Sequence, residues 1–157
     1  MRRGRDFGGE LHEGRHFLAI RIYYEDTDFS GVVYHASYLR FLERGRTEFL
    51  RALGLGQRLL LAREGADAVG FVVRRMTIDF FKPARMDEII TVETRPHEIG
   101  GASIELAQRV LRGDDVLVDA EVRVAAVANG RPRRLPTEVR QILRHSTSPV
   151  NRQVADR

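Results

Sequence analysis

The chain has 157 residues, 43% hydrophobic and 31% charged, which is the composition of one globular domain rather than of a disordered chain. It has no cysteine, which excludes a disulfide framework and thiol chemistry, and no apolar run near the roughly 20 residues of a membrane-spanning helix. Its net charge of +4 invites a nucleic-acid reading, but residues 131–157 hold seven arginines against Glu138 and Asp156, so residues 1–130 sum to −1. The basic character belongs to a tail, and nucleic-acid binding is not expected of the body.

Residues 1–15 are polar and read as a flexible leader without the apolar stretch of a signal peptide, so a cytoplasmic protein is expected. Residues 16–145 form the folded domain, and 146–157 read as a disordered tail. FLAIRIYY, residues 17–24, is rich in β-branched and aromatic types and predicts a strand. A loop with three carboxylates follows: Glu25, Asp26 and Asp28. A helix is expected from His35 to Leu53, with Tyr38, Phe41, Leu42, Phe49, Leu50 and Leu53 at helical spacing. Gly45 lies on that stripe, where glycine costs about 1 kcal/mol, so close packing against another backbone is expected to compensate. Gly54 suits a helix stop, and Gln57 to Glu64 suit a short second helix.

From Gly70 the pattern alternates. GFVVRRMTIDFF places Val72, Met76, Ile78 and Phe80 on one parity and ends near Pro83. Further strands are expected at Glu88 to Ile99, Ala102 to Arg112 and Val116 to Ala128. Gly113-Asp114-Asp115 supplies a hairpin turn between the last two, and Asn129-Gly130 closes the run. Pro136 to Arg144 predict a terminal helix. A strand, a long helix and a run of strands define an α+β fold: a curved antiparallel sheet of about five strands wrapped around the helix. The edges of such a sheet favour a second copy of the chain.

The acidic loop admits three readings. Asp and Ser before a helix are good caps, but a cap needs one acceptor and this loop offers several. Asp26, Asp28, Ser30 and Gly31 match the first half of a calcium loop, yet Ser37 stands where its bidentate glutamate is required. A transition metal would want more histidine than His35, so no metal is expected. The third reading is catalytic. A helix starting near His35 has unpaired N–H groups with partial positive charge, which can hold an oxygen that becomes negative. A carboxylate upstream can attack a carbonyl held there or activate water, and Gly31 lets the loop approach a ligand closely.

RIYYEDTDFSGVVYHASYLRFLERGRTEFL resembles the hotdog-fold acyl-CoA thioesterases, in particular the YbgC-type (Tol–Pal-associated) branch related to 4-hydroxybenzoyl-CoA thioesterase. The signature appears as Arg21-Ile22, Thr27-Asp28 and Gly31-Val32-Val33-Tyr34, and FVVRRMTIDFFKPARMDE looks like the family's next strand and turn. The resemblance implies a hotdog domain over 16–145, hydrolysis of an acyl-CoA to a carboxylic acid and CoA, no cofactor beyond the CoA of the substrate, and homodimers or homotetramers. It implies Asp28 as the catalytic carboxylate and His35 as the oxyanion-binding residue. Tyr24, Gly31, Val33 and Tyr34 are implied in substrate binding, with Gly101, Ala102 and Ser103 beside the pantetheine arm. An acyl carrier protein is a further partner to consider. Asp26 is expected to hold the loop. The alternatives are a non-catalytic hotdog protein that binds acyl groups or scaffolds the Tol–Pal system, and a dehydratase of the same fold, for which the acid and histidine are wrongly placed.

Overall fold

A single long helix lies across a sheet that bends around it. The structure, a computed structural model, describes residues 7–56 and 68–147. Helix α1 spans Ser37–Ala52 and buries Tyr38, Phe41, Leu42, Gly45, Phe49 and Leu50, the stripe that a 3.6-residue period puts on one face. It begins two residues later than expected. Ser37, Tyr38 and Leu39 donate to the carbonyls of Tyr34, His35 and Ala36, at 2.8, 3.3 and 3.2 Å, so the chain enters through a tight i to i−3 turn. It ends as a Schellman motif: Gly54 has φ +76°, Leu55 N–H donates to Leu50 O at 2.8 Å and Gly54 N–H to Arg51 O at 3.0 Å.

Seven antiparallel strands are present among the described residues: β1 (Glu10–His12), β2 (Arg15–Arg21), β3 (Gly70–Phe80), β4 (Ile89–Ile99), β5 (Ser103–Arg112), β6 (Asp115–Ala128) and β7 (Arg131–Pro132). Their order is β1-β2-β4-β5-β6-β3, with β7 paired to β6. The long strands β2 to β6 are the expected sheet of about five. A terminal helix α2 spans Thr137–Ser146. The short helix expected at Gln57 to Glu64 lies outside the described residues, as do the ends of the leader and tail.

Two short strands depart from expectation, and both come from turn chemistry. The leader is not loose throughout: β1 pairs with β2 from Glu10↔Phe17 to His12↔Arg15. Glu13 and Gly14, with φ of 50° and 73°, form the two-residue turn whose twist suits a hairpin. At the other end, Asn129 and Gly130 have φ of 52° and 73° and turn the chain back into β7 rather than only closing β6. Between β5 and β6, Gly113 alone takes a positive φ, 58°.

The expected parity of β3 holds from Met76 to Phe80 and breaks before it, because the register with β6 shifts between Val73 and Arg75 and puts Val72 on the opposite face from Met76. Met76 and Ile78 pack against the core, whereas Val72 and Phe80 are 43% and 50% exposed. For Phe80 the reason is position: β3 is the sheet's edge, and its free side has no neighbour among the described residues. The core divides into two groups along α1. Phe41 and Leu42 pack with Ile20, Ile22, Ile90 and Val118, while Phe49 and Leu50 pack with Leu106, Val122, Leu135 and Leu143. Between them lies a polar waist. Gln108 Nε2 donates to Leu42 O and Thr94 Oγ1, both at 2.9 Å, and Arg46 donates to Gln108 Oε1 at 3.0 Å.

Gly45 is what lets α1 reach this waist. A Cβ there would lie 2.6 Å from Val92 Cγ1 and 3.0 Å from Thr94 Oγ1, so the close packing is against sheet side chains. Gly45→Ala is expected to destabilise by about 1–3 kcal/mol through overpacking, outweighing alanine's better helix propensity of about 1 kcal/mol. A lower urea midpoint at unchanged m-value checks this.

Candidate active site

The acidic loop folds as a small hairpin on the N-terminal side of α1. Thr27 pairs with Val33, Asp28 N–H donates to Val32 O at 2.8 Å, and Gly31 N–H donates to Asp28 O at 3.0 Å. Asp at the first position and Gly at the fourth suit this turn, and Gly31 takes φ +80°, which an L side chain resists. Asp28 Oδ1 accepts the Ser30 N–H at 2.8 Å and also the Ser30 hydroxyl. These bonds, led by the Ser30 hydroxyl, hold its carboxyl below its ordinary value of 3.8 although the group is exposed.

The three carboxylates have separate fates. Asp26 is buried, its Oδ2 accepts the Tyr23 N–H at 2.8 Å, and its carbonyl accepts the Tyr34 N–H at 2.9 Å. It holds the loop, as expected. Glu25 faces solvent. Asp28 is left at the hairpin tip as an ionised, accessible carboxylate. Among the described residues no three His, Asp or Glu side chains gather as metal ligands do.

His35 sits in the turn that feeds α1. Its N–H and that of Ala36 have no acceptor among the described residues, which leaves two donors at the positive end of the helix. The His35 ring is exposed, with Tyr34 at 4.6 Å and Phe80 edge-on at 6.3 Å between centroids. Beside it opens a cavity of about 250 Å³ lined by Val33, His35, Tyr38, Phe80, Phe81, Lys82 and Pro83.

Other expected site residues fall in different places. Val33 is a core residue at 5% exposure that also reaches the cavity wall. Tyr24 is 82% exposed, and its carbonyl accepts the Thr27 hydroxyl at 2.9 Å; no contact joins its ring to Asp28 or His35. Gly101, Ala102 and Ser103 form the turn into β5. Gly101 O accepts Leu135 N–H, and Ala102 O accepts Ala126 N–H, both at 2.8 Å. This turn is at the far end of the sheet within one chain. Ser103 is level with Ala125 and Val72, whereas Phe80 is level with Val118 and Val110, roughly 23 Å away at 3.3 Å per residue.

Sequence reading missed the cavity's aromatic wall, Phe80 and Phe81, and treated Tyr38 as core alone. The signal for the wall was two consecutive phenylalanines before Lys82-Pro83, too many apolar groups for a strand's end. Lys82 pairs with Asp115 at 3.2 Å.

A long helix wrapped by an antiparallel sheet in this order is the hotdog fold. The Thioesterase superfamily profile matches residues 30–119, and the chain belongs to that family. Among its relatives, the acyl-CoA thioesterase YbgC of Haemophilus influenzae is 44% identical over 128 residues, covering 80% of this chain and 92% of that one. The acyl-CoA thioester hydrolase YbgC of Escherichia coli O6:H1 is 42% identical over 76% of this chain and 89% of that one. A probable thioesterase from Bartonella henselae superposes with a TM-score of 0.74 at 46% identity, over 78% of this chain and 99% of the other.

Ser30→Ala removes the strongest of the bonds that lower Asp28. The Asp28 carboxyl is therefore expected to titrate below 3.8 in the unaltered chain and to move upward in the variant. A carbon-13 NMR titration of the Asp28 carboxyl checks the direction. By linkage, the small stability that these bonds contribute is present above the unfolded value and lost as pH falls through the folded one.

Proposed function

We propose that this chain is an acyl-CoA thioesterase that hydrolyses the thioester to a free carboxylic acid and CoA. The observation that carries the reading is the pairing of an ionised, accessible Asp28 with the unbonded His35 and Ala36 N–H groups beside an apolar cavity. The thioester carbonyl oxygen sits toward those N–H groups, where its developing negative charge is stabilised. Asp28 takes a proton from water as the water attacks, or attacks itself to give a mixed anhydride that water then opens. In either route the C–S bond breaks, the CoA thiolate leaves and takes up a proton, and the acyl carbon keeps an oxygen derived from water or from Asp28. The hydrolase names of the relatives at 42–44% identity weigh against the scaffold reading.

Assembly completes the site in this proposal. A second copy adds antiparallel along the open side of β3, where Val72, Val73, Phe80 and Phe81 are 43–60% exposed. A two-fold axis near the middle of β3 brings the Val72 end of one copy to the Phe80 end of the other. Gly101 to Ser103 of one chain then approach Asp28 and His35 of its partner, which supports their role beside the pantetheine arm. Homodimers, or pairs of them, are the expected state, and an acyl carrier protein is an alternative bearer of the thioester. No helix among the described residues is long and apolar enough to cross a membrane.

Asp28→Asn keeps an oxygen for Ser30 and removes the basic carboxylate. It is expected to lose about a thousandfold or more in kcat, with light scattering still giving at least twice the 17.9 kDa chain mass. Free CoA released from acyl-CoAs of several chain lengths, followed with a thiol reagent, is the measurement. Retained turnover removes Asp28 from the reaction, and a flat panel for the unaltered chain removes the hydrolase reading.

A further inference from the structure

Tyr38 is the second residue of α1, 3% exposed, and its hydroxyl oxygen accepts the Ala84 N–H at 3.0 Å. Ala84 is fully buried, so water does not replace that acceptor, and an unpaired buried N–H is costly. The other side of the same residue is also engaged: Ala84 O accepts the Val33 N–H at 2.8 Å. Residues 33–38 therefore form a loop whose two ends are tied to one residue, through its carbonyl at Val33 and its N–H at Tyr38. His35 and its unbonded N–H lie inside that loop. The Val33 end continues directly into the Asp28 hairpin through Thr27↔Val33, while Val32↔Arg85 extends the same tie.

The Tyr38 ring is placed independently of its hydroxyl. It packs on Phe41 at 5.9 Å and on Phe80 at 5.8 Å between centroids, and Phe80 in turn meets the His35 ring. Burial pushes the phenol up from its ordinary value, so it remains protonated and neutral at neutral pH. The hydrogen bond and the ring packing are thus separable by a single substitution, Tyr38→Phe.

We infer that the Tyr38 hydroxyl is a positioning group: by closing residues 33–38 onto Ala84 it fixes the His35 N–H relative to the Asp28 hairpin. This rests on the hydrolase reading, in which those two groups act on one thioester. Although the Tyr38 ring lines the cavity, its hydroxyl bonds the Ala84 N–H and not Asp28 or His35. Its loss shifts a donor rather than deleting one, so the defect falls on the chemical step more than on substrate capture.

The test compares the unaltered chain, Tyr38→Phe and Val139→Ala. Val139 is fully buried in α2 against the second core group, and its truncation lowers stability without touching the loop. Tyr38→Phe is expected to lower kcat about tenfold, the scale of a small misplacement of reacting groups, with KM within about twofold. Amide hydrogen exchange at Ala84 and Val33 should quicken in the same variant. Val139→Ala should lower Tm and leave kcat unchanged. Equal kcat in Tyr38→Phe, a kcat loss reproduced by Val139→Ala, or unchanged exchange at Ala84 each overturns the role of Tyr38. An unaltered chain that hydrolyses no acyl-CoA overturns the hydrolase reading instead, whereas an active chain with an equally active Tyr38→Phe overturns this inference alone.

Discussion

The seating of α1 on the sheet at Gly45 is the contact on which the rest of the molecule depends. A helix normally stands off a sheet by the length of its side chains. Here the missing Cβ lets Gln108 reach past to the Leu42 carbonyl. A buried amide with its donors and acceptor satisfied adds direction to packing that is otherwise non-directional. It sets the position of the helix along the strands as well as its height. The apolar group around Phe41 then has to fall beneath the first half of α1, against β2 and β4. The end of the helix that opens on Asp28 and the cavity is located by the same constraint.

Much of this was legible because it is local. The apolar stripe of α1, the glycine-led turns and the structural role of Asp26 follow from spacing and from what short polar side chains do near turns. What sequence could not supply is long-range. The Tyr38 hydroxyl and the Ala84 N–H are 46 residues apart, and nothing near either residue announces the other. The pairing of β1 was hidden because its three residues are exposed and only Leu11 is apolar, with only Glu13-Gly14 to suggest a turn. Gly101 to Ser103 were expected at the site by resemblance, and within one chain they lie far along the sheet from Phe80. The family relation was visible for a different reason: the Thr27-Asp28 to Tyr34 stretch must satisfy hairpin, helix entry and carboxylate placement at once, which leaves few sequences that do so.

The electrostatics of Asp28 pose a problem that the geometry helps to resolve. Hydrogen bonds that hold a carboxylate below its ordinary value make it a weaker base. In return, the group is anionic at every physiological pH and is aimed by Ser30 rather than left to rotate. Water is what limits it in the free, exposed state. A substrate that seals the hairpin against the Phe80-Phe81 wall would strip that water and strengthen both the carboxylate and the two N–H donors. Reactivity in such a site is acquired on binding and does not have to be stored in the resting chain.

The open side of β3 has a consequence beyond the site. Eleven residues of strand with no neighbour on one side among the described residues, and with protruding valine and phenylalanine side chains, are a template for any extended peptide. In the proposed dimer a matching edge would cap that template and remove the hazard. The same pairing would tie the durability of the fold to how much of the chain is present, because a paired edge is lost by dilution. A thinly expressed chain would then be more prone to proteolysis and fibre-like addition than an abundant one, with no change in its sequence.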